Sequence, residues 1–372
     1  MGTSGSDGRA ERAGGSVSRR DFMRVCSMAA AAVGLPARAG EEMAGTVAAR
    51  KRPSVVWLHF QECTGCTESL LRTSHPDVAT LLLELVSLDY HETLFAAAGH
   101  QAEQALEAAR KERGYVLVVE GAIPRKDGGV YCMSGGRKAV DLLPELAEGA
   151  AAVICLGSCA SWGGLPSAAP NPTDAVGAPE ILKARGIARP VISLPGCPAN
   201  PYTLLGTILQ LATFGTLPRL DEKGRPALAY ARTIHEDCPR RPHFDAGRFA
   251  GAFGDEGHRA GFCLYKLGCK GPQTHASCAL VPFCDVPGAW PVGIGHPCVG
   301  CTEQGIAFAV PLHTTVPIDK PTAPMAYPGI TAERGHVSAI ATGVAGVVVG
   351  VAAGAGYAAS RRLAKSEEKQ EG

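Results

Sequence analysis

Short apolar, β-branched runs recur along the first part of the chain, at Ser54 to Phe60 (SVVWLHF), Tyr115 to Glu120 (YVLVVE), Ala151 to Leu156 (AAVICL) and Val191 to Leu194 (VISL). Between and after them, Ala102 to Arg113, Arg137 to Glu148 and Tyr202 to Phe214 repeat apolar residues at the helical period. Buried strands alternating with amphipathic helices predict a doubly wound, flavodoxin-like parallel sheet, an α/β fold over residues 50–214. The pattern then breaks. Residues 215–310 have few periodic segments and are expected to take their shape from bound metal. A proline-rich stretch, Pro311 to Pro328, opens a linker over 311–336.

Two terminal patterns stand apart. Val337 to Ser360 is a run of 24 residues without a charge. As a helix it reaches about 36 Å, enough for a hydrocarbon core of about 30 Å. Arg361, Arg362 and Lys365 follow, so the positive-inside rule predicts a transmembrane anchor over 337–360 and a cytoplasmic tail over 361–372. Gly346, Gly350 and Gly354 line one face of that helix and permit close packing against another membrane helix. At the other end, SRRDFM precedes a weakly apolar stretch, Val25 to Leu35, with cleavage points at Ala39 (ARA) or Ala49 (VAA). This reads as a twin-arginine signal over residues 1–49 that is no part of the fold. Both patterns put the body of the chain on the outer, periplasmic face of the cell membrane.

The candidate chemistry is in the cysteines. Cys63 and Cys66 (QECTGCTES), Cys159 (GSCASWGG) and Cys197 (PGCP) each follow an apolar run. Loops beyond the carboxyl ends of parallel strands converge, so these thiols can meet at one metal centre. Four thiolates suit zinc or an iron–sulfur cluster, although a zinc ribbon draws its ligands from two nearby CxxC pairs rather than from one pair and two distant singles. Gly65, Gly157 and Gly196 beside them let the backbone approach a bulky cofactor. Downstream lie His235 and Cys238 (HxxC), Cys263 and Cys269 (GFCLYKLGCKGP), then Cys278 and Cys298 with Cys301 (GHPCVGC). They divide into a set of four and a set of three, enough for two more clusters, and three clusters make a wire.

Composition narrows the partners. The chain has 372 residues, 46% of them hydrophobic, and a formal net charge of +1, which supplies no drive toward nucleic acid. No GxGxxG or Walker loop is present, so no nucleotide is expected. The 14 cysteines sit at ligand spacings rather than in the short chain typical of disulfide scaffolds.

From Pro53 to about Thr315 the chain resembles the small subunits of [NiFe] hydrogenases, in QECTGCTES, VEGAIP, GSCASWGG, PGCPANP, CPRRPHF, CLYKLGCKGP and GHPCVGCTE. The resemblance implies two [4Fe-4S] clusters, a proximal one on Cys63, Cys66, Cys159 and Cys197 and a distal one on His235, Cys238, Cys263 and Cys269. It also implies a medial [3Fe-4S] cluster on Cys278, Cys298 and Cys301, with Pro291 in place of a fourth ligand. The Ni–Fe centre is then expected on a large-subunit partner, since this chain lacks that subunit's paired CxxC ligands. Electrons from H₂ oxidation are expected to pass through the three clusters to a membrane b-type cytochrome and quinone, with lipid contact through the C-terminal helix. A regulatory hydrogen sensor would lack the leader and anchor, and a complex-I-type iron–sulfur scaffold would not need the His235 block.

Several positions depart from the family or sit beside its motifs. Oxygen-tolerant members carry extra cysteines at the positions of Gly65 and Gly164, so an ordinary proximal cubane is expected. Cys284 is read as a buried thiol or an alternative medial ligand, Cys132 and Cys155 as packing residues, and Cys26 as part of the leader. Glu62, Glu68 and Glu120 are candidates for proton relay, with backbone hydrogen bonding as their plainer role. His296 is expected to be structural and His336 to cap the membrane edge.

Overall fold

The apolar runs form strands, joined by one that the pattern did not announce: β1 Ser54–His59, β2 Ser87–His91, β3 Val116–Glu120, β4 Ala152–Leu156 and β5 Val191–Leu194. All pair in parallel, in the spatial order β2-β1-β3-β4-β5. This is the flavodoxin-type order. The computed structural model from which it is read describes residues 19–49, 52–74, 77–80, 84–281, 283, 286–318 and 323. The expected anchor, the basic tail, His336 and Cys284 lie outside the described residues. Among the described residues no helix is long and apolar enough to cross a membrane.

A period of two sorts the strand side chains onto two faces, both covered, as a parallel sheet requires. Val55, Trp57, Val116, Val118, Ile154 and Ile192 face one core. Val56, Leu58, Leu117, Val119, Val153 and Cys155 face the other. Cys155 is thus a packing residue on β4, and half-buried Cys132 packs against the same layer. In chain order the helices are α1 Arg19–Ala32, α2 Ala37–Ala49, α3 Gly65–Leu71, α4 His100–Glu112, α5 Ala139–Ala147, α6 Gly157–Trp162, α7 Ala178–Ala184 and α8 Pro201–Phe214. Helices α4, α5 and α7 cover the second face, and α8 covers the first.

Helix α8 has clear start and stop chemistry. Asn200 Oδ1 accepts the Tyr202 N–H at 3.0 Å, Pro201 fills the first turn, and Gly215 at φ 64° ends the helix. Its outer side is also buried, because α1 and α2 pack against it through Val25, Cys26, Ala29, Ala30 and Met43. Where α1 crosses, a Cβ on Gly206 would lie 2.3 Å from the Ala29 carbonyl oxygen, so only glycine fits that approach. This packing differs from the expectation that residues before 50 lie outside the fold. The weakly apolar stretch at the amino terminus is the buried face of a helix, and Cys26 belongs to that core.

After α8 the backbone is largely irregular, with short helices at Arg241–Asp245 and Glu256–Arg259 and a small core around Ile234, Leu264, Trp290 and Val292. One segment ties this half to the sheet. Ser193 on β5 donates its N–H to Gly224 O at 2.8 Å, and Tyr230 Oη donates to Pro195 O at 2.8 Å. Arg225, stacked 5.0 Å over the Tyr230 ring, donates to buried Glu303 at 2.9 Å. His275 N–H at 3.0 Å and Lys223 Nζ complete the carboxylate's partners. Burial alone would raise Glu303, but the bonds from His275, Lys223 and Arg225 outweigh it and hold its pKa down at about 2.

Glu303→Gln should destabilise the protein by about 1.5–3 kcal/mol, because it removes one of the two carboxylates that pair with buried Arg225, leaving Asp221 alone, and puts a neutral amide where Arg225, Lys223 and His275 converge. A depressed carboxylate stabilises fully above its ordinary pKa, and that contribution disappears as pH falls from about 4.5 towards about 2. Denaturation of the protein should show the variant's deficit at neutral pH and its shrinkage across that acid window. Equal midpoints at neutral pH would show that the network holds nothing together.

Candidate functional site

The first four cysteines come together where the strand order predicts. Cys63 lies in the turn after β1, Cys66 in α3, Cys159 in α6 directly after β4, and Cys197 in the loop after β5. They line one cavity of about 100 Å³ with Glu62, Glu120 and Gly157. The glycines give the sulfurs room: a Cβ on Gly157 would sit 2.6 Å from Cys66 Sγ, and one on Gly164 2.9 Å from Cys159 Sγ. Cys63 and Cys197 are exposed, so this cavity opens at the carboxyl edge of the sheet.

The carboxylates around it have separate roles. Glu120, buried at the end of β3, accepts the N–H groups of Cys66 (3.0 Å) and Thr67 (3.3 Å), the Thr67 hydroxyl (2.7 Å) and Trp57 Nε1 (3.3 Å). Burial raises its pKa, and the Thr67 hydroxyl and His59 pull it back. It braces the Cys66 turn. Glu62 accepts from Thr64 and pairs with His59 at 3.2 Å, while its second oxygen is buried without a hydrogen-bond partner. Glu68 points away into an exposed pair with Arg72.

The donor set fits a metal cluster. Burial pushes the Cys66 thiol well above its ordinary value, with Glu120 adding to the rise, and burial pushes Cys159 up to about 12 and Cys197 upward. Thiolates crowded into such a place need cations among them. Among the described residues no three donors converge as a single ion requires. Four thiols lining one cavity instead match the ligand count of an iron–sulfur cluster, one thiolate per iron in the [4Fe-4S] case.

The second block forms two further sites. His235, Cys238, Cys263 and Cys269 line a cavity of about 20 Å³ beneath Leu264 and Tyr265. His235 Nε2 is buried with no hydrogen-bond partner, its ring edge-on to Phe244 at 4.5 Å. Burial holds its pKa down at about 4, so the imidazole is neutral and able to ligate. Burial lifts Cys238 to about 12, Cys263 to about 11 and Cys269 upward. Cys298 is buried and Cys278 and Cys301 are half-buried, within electrostatic reach of one another, and desolvation raises all three thiols, Cys278 and Cys301 to about 12. Trp290 and Val292, flanking Pro291, pack in the same small core as Cys298. His296 bonds Pro297 O at 2.8 Å, a structural contact.

The three sites touch through hydrogen bonds. Ser158 Oγ accepts Gly196 N–H at 3.0 Å and donates to Cys301 O, linking the first cavity to the three-cysteine set. Cys298 N–H donates to Cys269 Sγ at 3.3 Å, linking that set to the histidine-bearing one. Ser158, Lys270 and Glu303 sit inside the cysteine motifs, yet nothing in their spacing announced a role.

Two family models match the chain. One describes the 20 Kd subunit of NADH ubiquinone oxidoreductase and matches residues 63–211; the other describes the carboxy-terminal part of the NiFe/NiFeSe hydrogenase small subunit and matches 230–313. The second separates this chain from a complex-I-type scaffold. The chain is 52% identical over 356 residues to the Hydrogenase-2 small chain of Escherichia coli (strain K12), covering 95% of each. It is 41% identical over 355 residues to the uptake hydrogenase small subunit of Rhizobium leguminosarum bv. viciae, again covering 95% of each. Its fold matches the reduced, active Ni-Fe-Se hydrogenase from Desulfomicrobium baculatum with TM-score 0.64 and 33% identity, over 68% of this chain and 95% of that one. The chain belongs to the family of NiFe hydrogenase small subunits, the iron–sulfur electron-transfer partners of a large subunit that bears the catalytic centre.

Proposed function

We propose that this chain is the electron conduit of a respiratory uptake hydrogenase. Cys63, Cys66, Cys159 and Cys197 hold a proximal [4Fe-4S] cluster, Cys278, Cys298 and Cys301 a medial [3Fe-4S] cluster, and His235, Cys238, Cys263 and Cys269 a distal [4Fe-4S] cluster. Bound there, these clusters supply one-electron relay chemistry from the large subunit's Ni–Fe centre to a membrane b-type cytochrome and quinone. The observation that carries this reading is the chain of contacts among the three thiol sites. Ser158 joins the proximal loops to Cys301, and the Cys298 amide joins the medial site to the Cys269 sulfur, which orders the sites as a path. Exposed Cys63 and Cys197 leave the proximal end open to be covered by the large subunit.

The division into a flavodoxin-like domain (50–214), a two-cluster domain (215–310), a linker (311–336) and an anchor (337–360) belongs to the same proposal. So do export by the twin-arginine pathway, a periplasmic body, a cytoplasmic C-terminus and lipid contact through the anchor. The leader and the uncharged segment favour this over a hydrogen sensor. An ordinary proximal cubane fits as well: at Gly164, φ 49°, a Cβ would lie 2.7 Å from Cys159 N.

Replacing neutral imidazole by an anionic thiolate favours the oxidised cluster. His235→Cys should therefore keep a distal cluster at lower potential and slow quinone reduction, with little change in hydrogen–deuterium exchange at the large subunit. An unchanged distal spectrum with unchanged quinone reduction would remove His235 from the ligand set. In redox titrations the wild-type proximal cluster should show no second, high-potential oxidation, and Gly164→Cys should disrupt that cluster rather than add a ligand. An intact cluster with a second oxidation in that variant would contradict the close approach at Gly164. A tag after Gly372 should resist protease in intact spheroplasts; its digestion from outside would reverse the orientation.

A further inference from the structure

Lys270 is only 1% exposed, a rare place for an ammonium group. It directly follows Cys269, and its N–H donates to Cys298 O at 2.8 Å while Cys298 N–H returns a bond to Cys269 Sγ at 3.3 Å. This reciprocal pair fixes Lys270 at the junction of the medial and distal sites. Its stem runs past Gly300, where a Cβ would lie 3.4 Å from the lysine Cβ and Cδ.

A strap of chain closes over it. Lys270 Nζ donates to Pro311 O at 3.3 Å, Tyr265 Oη to Val316 O at 2.9 Å, and Gln273 Nε2 to Pro317 O at 2.6 Å. Gly268, at φ 89°, comes so near the strap that a Cβ there would be 2.3 Å from the His313 carbonyl carbon. One carbonyl does not satisfy an ammonium with three N–H groups. Its backbone adjoins Cys269 and bonds Cys298, one thiol from each site. Burying an unpaired cation costs several kcal/mol, so its compensation has to come from anionic thiolate assemblies on either side.

We propose that Lys270 is a positioning charge between the medial and distal centres, held in place by the 311–318 strap, which stabilises an added electron at the centres on either side of it. A fixed positive charge in a dry interior favours the more negative, reduced form of a neighbouring cluster. The proposal rests on the ligand assignment above.

The test compares Lys270→Met, Lys270→Gln and Lys270→Arg in the complete heterodimer by redox titration followed by electron paramagnetic resonance. At the wild-type medial midpoint, the reduced-to-oxidised ratio of that centre should fall about tenfold in the Met and Gln variants, equivalent to about 59 mV for one electron. The distal centre should fall as well, the proximal centre should stay unchanged, and Arg should restore the wild-type ratios. Loss of the medial centre in Met and Gln but not in Arg would also support the charge requirement. An unchanged medial ratio, a proximal shift of the same size, or equal damage in all three variants would overturn the proposal. A wild-type complex with no three-iron resonance would instead defeat the ligand assignment, and this proposal with it.

Discussion

Thiols packed together away from water resist ionisation, and the structure gathers three such groups. Burial lifts Cys159, Cys238, Cys278 and Cys301 each to about 12, so none of these sites is at ease without cations among its sulfurs. Much of the architecture follows from that demand. The sheet is a frame whose carboxyl edge brings Cys63, Cys66, Cys159 and Cys197 to one cavity from three separate loops. The second half has only a small apolar core of its own, and in the proposed arrangement metal binding would supply what that core lacks.

The same constraint decides where charge is tolerated. Glu303 is buried, but three donors hold it, and it fastens the segment around Arg225 and Tyr230 between β5 and the irregular half. Glu120 is buried beside the proximal thiols, with one oxygen taken by the backbone of the loop it braces and the other by the Thr67 and Trp57 side chains. Lys270 differs from both, having a single carbonyl partner and thiol groups on either side. Glu303 and Glu120 fasten the structure through their partners, whereas Lys270 lies between two of the thiol sites.

Much of this was legible in the sequence because strands buried on both faces must be apolar throughout. That pattern marked β1, β3, β4 and β5 to within a residue. It missed β2, whose Ser87, Leu88, Asp89, Tyr90 and His91 belong to a half-covered edge strand with no unbroken apolar run. The cysteine loops were legible for a related reason: thiols directly after strands have one place to go. Ser158, Lys270 and Glu303 were not, because their roles come from partners far along the chain, such as Cys301 for Ser158 and Arg225 for Glu303. The packing of residues 19–49 was not legible because small-residue apolar stretches suit a leader and a packed helix equally, and the close approach of Ala29 to Gly206 on α8 is a partner far along the chain.

The central claim is that three iron–sulfur clusters of two kinds occupy these three sites. Iron-57 Mössbauer spectroscopy of the anaerobically purified complex tests it most directly. The account predicts two four-iron cubanes and one three-iron cluster in addition to the iron of the large subunit. Zinc in place of iron in this chain, or a single cubane with the His235 and Cys278 sites free of iron, would contradict it.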